Sequence, residues 1–267
     1  MYQAMKLKPP EHIPVEKSFN EFVKDFGGEL VSELMPRDHE LPRNADYLFR
    51  KELVVAELKC LEKDLFNNEE EVERITRLIQ KWTSSGIING STAIEWLFGQ
   101  ALLPDECYRD MIRLAARTIE TAIRSAKKQI ERTKEYFDLP QTNGLVLLAN
   151  DGNYFLEHQE FFELTCQIMG SKFMDSSIDG FVYFSANMPV AMPGHEREML
   201  LWVPSYRDEN NKSLGKFVNE LGEKWFLFYQ KKIRQEGVPI KQIENFDEGI
   251  EALKSMRHIK KYRRKKR

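Results

Sequence analysis

Long apolar runs are missing from this chain: the longest, such as Leu145–Ala149, fall far short of the roughly 20 residues that cross a bilayer, so no membrane span is expected. Cysteine is nearly missing too. Cys60, Cys107 and Cys166 are odd in number and far apart, giving neither a disulfide framework nor metal-ligand spacing. Reduced thiols and a cytoplasmic setting are the expectation. Lys6 and Lys8 are followed by no apolar segment of the secretory kind. No G-x-x-x-x-G-K-[ST] or G-x-G-x-x-G run occurs, Gly194 and its neighbours included, which removes the phosphate loop and the dinucleotide fingerprint. The five histidines, His12, His39, His158, His195 and His258, make no H-x-x-x-H or similar pair, so surface or core roles are expected rather than zinc binding. No internal repeat is present.

What the chain does have is the composition of a globular domain, 42% hydrophobic and 31% charged over 267 residues. Its formal charge of −2 hides an asymmetry. Arg257, Lys260, Lys261, Arg263, Arg264, Lys265, Lys266 and Arg267 crowd the last eleven positions, where no acid occurs. Removing those eight from the 40 Lys and Arg leaves 32 against 42 acids, a body at −10. A basic tail on an acidic body points to phosphate contacts with nucleic acid, and a solubilising end is the plain alternative.

Apolar periodicity organises the rest. Residues 1–14, with Pro9, Pro10 and Pro14, read as an extended arm. Phe19, Phe22, Val23 and Phe26 make one face of a helix over 16–26, which Gly27-Gly28 ends. Glu29–Leu34, Ala45–Phe49 and Leu53–Leu61 read as strands. Helical patterns follow over 69–82, 91–98 and 104–137, where Pro104 suits the first turn of the last. Leu145–Asn150 then reads as a strand buried on both faces, followed by a helix over 156–169. Ile178–Ser185 and Glu198–Val203 are further strands, and a helix over 213–236 carries Trp225, Phe226, Phe228 and Tyr229 as core residues. This mixed order predicts an α/β protein with a mixed central sheet: a domain over 15–256 with a helical insertion at about 67–139, a C-terminal extension, and a basic tail at 257–267.

Chemistry concentrates in the run Leu53-Val54-Val55-Ala56-Glu57-Leu58-Lys59-Cys60. Side chains alternate along a strand, so Glu57 and Lys59 share a face while Cys60 points to the core on the other. Charges in an apolar strand are costly unless paired or bound to a cation. If Lys51 and Glu52 form a two-residue loop, Asp46 falls opposite Glu57. A four-residue loop puts it opposite Val55, still on the same face, whereas a three-residue loop turns it away. Two carboxylates and an ammonium so gathered suit phosphodiester cleavage with Mg²⁺ or Mn²⁺, hard cations that take oxygen ligands and acidify a bound water. A structural ion pair of Glu57 with Lys59 or Lys51 on a solvated face is the plain alternative. Asp38 and His39 border this region, and Asp151-Gly152-Asn153 reads as a turn.

Over residues 15–60 the chain resembles the PD-(D/E)XK, restriction-endonuclease-like nucleases. Asp46 matches the first acid and Glu57-Leu58-Lys59 the (D/E)-x-K element, although Pro42 does not directly precede Asp46. The resemblance implies an αβββαβ core and a metal-dependent nuclease acting on DNA more than RNA. Asp46, Glu57 and Lys59 would be catalytic. The metal would be held by Asp46, Glu57 and the Leu58 backbone carbonyl, with Glu21 on the first helix as an additional candidate. A catalytically silent relative that binds nucleic acid or protein is the rival reading, and a homodimer or protein partner is compatible with either.

Overall fold

The computed structural model describes residues 12–35, 43–61, 69–97, 101–152, 156–188, 190–191, 199–233, 240–242, 253–254 and 256–258. Helix α1 (Val15–Phe26) opens the fold. Its Phe19, Phe22 and Val23 are buried, and Gly27 closes it at φ 97°, a left-handed position that suits glycine. Two features then depart from the sequence reading. The run 29–34, expected as one strand, divides into a two-residue strand β1 (Glu29–Leu30) and a single helical turn α2 (Val31–Leu34). Strand β2 (Tyr47–Phe49) begins two residues later than expected.

Strand β3 (Val54–Leu61) follows a tight turn in which Leu53 takes φ 53°. Three helices lie between β3 and the next strand: α3 (Glu69–Ser84), α4 (Gly90–Leu97) and α5 (Asp105–Tyr136), with Pro104 capping α5 rather than entering its first turn. Strand β4 (Asn143–Asn150), helix α6 (His158–Lys172), strand β5 (Gly180–Ser185), the short β6 (Val190–Ala191), strand β7 (Leu200–Tyr206) and helix α7 (Lys212–Lys232) come next. Two more short strands, β8 (Ile240–Gln242) and β9 (Arg257–His258), complete the described elements and, like β6, are absent from the sequence reading.

The main sheet runs β1-β2-β3-β4-β5-β7-β8. β1, β2 and β3 form an antiparallel meander, β4 and β5 continue parallel to β3, and β7 returns antiparallel. This is a mixed open sheet, as the order of elements predicted. Alternation divides its side chains between two cores. Tyr47, Phe49, Ala56, Leu147, Val182 and Trp202 face α1 and α7, where Phe19, Trp225, Phe226 and Tyr229 pack. Leu48, Val55, Val146, Leu148 and Tyr183 face the opposite layer, built from Ile119, Ile123, Ala126 and Ile130 of α5 and Phe161 and Phe162 of α6. Nearly every side chain of β4 is buried, as its apolar run required. A third cluster, around Trp82, Ile75, Cys107 and Met111, holds α3 and α4 against the first half of α5. None of the helices is long and apolar enough to cross a membrane, among the described residues.

Residues near each end of the described range dock on this frame. Ile13, at the close of the expected arm, is buried, and Asn187 clamps its backbone through Ile13 N–H to Oδ1 (3.0 Å) and Nδ2 to the Ile13 carbonyl (2.9 Å). At the start of the basic segment, Arg257 and His258 pair through their backbones with Ala191 and Val190. Lys260, Lys261, Arg263, Arg264, Lys265, Lys266 and Arg267 lie outside the described residues, as do Asp38, His39, Asn153 and His195.

Candidate active site

The β2–β3 register decides whether a site can exist. Tyr47 pairs with Ala56, Leu48 with Val55 and Phe49 with Val54, so Asp46 falls opposite Glu57, the arrangement expected of a two-residue loop. Leu48 and Val55 belong to the α5-side core, and the period of two places Asp46, Glu57 and Lys59 on that same face.

The side chains converge there. Lys59 Nζ donates to Glu57 Oε1 at 2.5 Å, and Asp46 Oδ2 accepts the Leu58 backbone N–H at 2.9 Å. The Glu57 side chain is only 2% exposed and that of Lys59 21%, so this is no ion pair on a solvated face. Burial drives the Glu57 carboxyl up to about 8, the neighbouring Asp46 charge adds to the rise, and Lys59 opposes it. Asp46 is raised as well, again by burial first, against the Leu58 N–H that stabilises its charged form. Each of the two carboxyl groups bears on the other's protonation. With its carboxyl at about 8, Glu57 holds its proton at neutral pH in the metal-free protein.

Glu57 Oε2 is buried and has no hydrogen-bond partner among the described residues. An orphaned, acidic oxygen beside a second carboxyl is the kind of group a hard cation satisfies, so the residues present fit Mg²⁺ or Mn²⁺. The Leu58 N–H points to the Asp46 side, and a strand residue's N–H and C=O leave by the same edge, so the Leu58 carbonyl also faces this edge, beyond the last β2 pair. No group of three or more His, Cys, Asp or Glu side chains is placed to hold a metal among the described residues.

Glu21 lies elsewhere: its carboxylate pairs with Lys232 of α7, which holds its pKa below the usual range. The acid of α1 whose charge acts on Asp46 is instead Glu16, in the first turn. Sequence reasoning missed the contribution of α5. Ala45 N–H donates to Thr133 Oγ1 (2.8 Å) and the Gln129 carbonyl (3.2 Å), fixing the residue before Asp46. The Gln129 side chain reaches Lys59 Nζ at 2.7 Å. A signal existed: Gln129 and Thr133 stand four residues apart among the apolar positions of α5, and polar groups on a buried face need partners.

A second polar group forms where the parallel strands end. His12 Nε2 approaches the buried Asp151 Oδ1 at 3.3 Å, and Asn187 Nδ2 donates to the same oxygen at 2.7 Å. His158 is fully buried against the Tyr183 hydroxyl at 2.6 Å. The surface and core roles expected for the two histidines agree with these positions. Comparisons with protein-family models, curated proteins and solved structures find no match to this chain.

Proposed function

We propose that the chain is a divalent-metal-dependent nuclease of restriction-endonuclease-like type, cleaving phosphodiester bonds in DNA more than RNA within the cytoplasm. The observation that carries this reading is the convergence of Asp46 and Lys59 on the buried Glu57 on one sheet face, with Glu57 Oε2 left without a hydrogen-bond partner among the described residues. The meander of β1, β2 and β3 followed by a parallel β4 supports it, being the order that the sequence resemblance implies.

Charge makes the case in physical terms. With both carboxyls ionised the trio carries one net negative charge in a poorly solvated place, which is costly. A divalent cation reverses the sign, and one phosphodiester charge then brings the assembly to zero. Asp46, Glu57 and the Leu58 carbonyl would hold the ion, which when bound polarises the phosphate and acidifies a water. Lys59 would orient that water and offset charge growing on the phosphate. The basic residues from Arg257 onward would add contacts to neighbouring phosphates.

The test is degradation of plasmid, single-stranded DNA and RNA with Mg²⁺ or Mn²⁺, alongside a chelated control and Glu57→Ala. Loss of all cleavage in the chelated and Glu57→Ala arms is expected, and cleavage that survives both excludes this site. The lack of a third His, Cys, Asp or Glu side chain placed to share a metal, among the described residues, favours a second reading, a nuclease fold that binds nucleic acid or protein without turnover. Under that reading Mn²⁺ produces no calorimetric binding signal.

A further inference from the structure

An ammonium carries three N–H donors on a stem with four rotatable bonds, so Lys59 needs help to present any one of them in a fixed direction. Two of its donors are committed inside the protein, to Glu57 Oε1 at 2.5 Å and to Gln129 Oε1 at 2.7 Å. Gln129 itself has no freedom. It is 7% exposed, its Nε2 donates to the Asn44 carbonyl at 2.9 Å, and its Oε1 also accepts from Ser125 Oγ at 2.9 Å. With the amide nitrogen engaged by a carbonyl, the amide oxygen must face Lys59. The flipped amide would set N–H against ammonium and oxygen against oxygen.

We propose that Gln129 is a positioning residue: from α5 it fixes the Lys59 ammonium so that the third N–H is presented to the open side of the site. It also ties that ammonium to Asn44, two residues before Asp46, so the lysine and the first acid keep one spacing. What the third N–H does, orienting a water or a phosphate oxygen, rests on the nuclease reading, whereas the placement does not.

The closing experiment separates the two. Lysine acylation of the metal-free full chain, mapped by mass spectrometry, reads how firmly Lys59 is held. Gln129→Met removes every side-chain hydrogen bond at near-equal size, Gln129→Asn keeps the amide but draws it out of reach, and Gln129→Glu keeps an acceptor for Lys59. Lys59 should label about tenfold faster in the Met and Asn variants, the effect of losing one hydrogen bond to a charged group, and as slowly as wild type in the Glu variant. In the cleavage assay the Met and Asn variants should lose about 10²-fold in kcat, with KM and Mn²⁺ affinity within about twofold. Unchanged Lys59 labelling in folded Met or Asn variants overturns the proposal whatever the cleavage. Labelling that rises as expected in a protein that cleaves nothing upholds the placement and discards the nuclease reading.

Discussion

Replacing Glu57 by Gln should abolish much of the alkaline weakness of the metal-free protein. The Glu57 carboxyl sits at about 8 in the fold against an ordinary 4.5. A raised folded pKa means that the native state holds the proton more tightly than the unfolded chain does. The associated stability is complete below about pH 4.5, declines as pH rises, and is gone above about 8. At about 1.4 kcal/mol per unit, that interval corresponds to a ceiling of about 5 kcal/mol. Because the proton belongs to the Asp46–Glu57 pair, the measured difference is the sum over both groups. Urea unfolding in chelator from pH 5 to 9 is the assay. Wild type should lose several kcal/mol across this range, and Glu57→Gln, which keeps the shape and cannot ionise, should lose far less. Parallel decline of the two proteins refutes the reasoning. The same proton must leave when a cation binds, so the Mn²⁺ Kd should tighten nearly tenfold per unit between pH 6 and 7 and level off above 8.

Three other outcomes are expected. Asp46→Ala should eliminate both Mn²⁺ binding by calorimetry and cleavage, while Lys59→Ala should still bind the ion and turn over about 10²–10³-fold more slowly. Deleting residues 259–267 should flatten the salt dependence of duplex binding by about 0.9 in log–log slope per lost phosphate contact, and an unchanged slope removes the tail from the interface. Gly222→Ala should cost about 1–3 kcal/mol in thermal unfolding, because the new methyl would sit 2.6 Å from the buried Trp202 indole; an unchanged Tm would mean that the α7–β7 contact is looser than described.

The sequence carried the parts of the fold that repeat. Phe19, Phe22 and Val23 marked the buried face of α1, and the apolar run of β4 announced a strand covered on both sides. The convergence of Asp46 with Glu57 followed from strand alternation and an even loop alone, and the register agrees. Short elements escaped. Val31–Leu34 is one helical turn, too brief for its apolar residues to show a period, and β6, β8 and β9 have two or three residues each. Gln129 escaped for another reason: its partners Lys59 and Asn44 are 70 and 85 positions away. Glu21 was the acid favoured on α1, yet its place in the helix turns it to Lys232, whereas Glu16 is the one whose charge Asp46 feels.

The two halves of the candidate site hang on backbone of unequal endurance. Glu57 and Lys59 belong to an eight-residue strand laddered along its whole length to β4, so their amides should exchange with solvent only when the entire domain opens. Asp46 precedes a three-residue strand, and this stretch of backbone is retained by one bond to Val31 and, through Asn44 and Ala45, by three bonds to α5 that no ladder reinforces. Local opening of residues 44–46 would part the first acid from the second without unfolding anything else. Activity would then fade on heating or in mild denaturant before circular dichroism registers a change, and the protein would recover it within the time that one short segment takes to close.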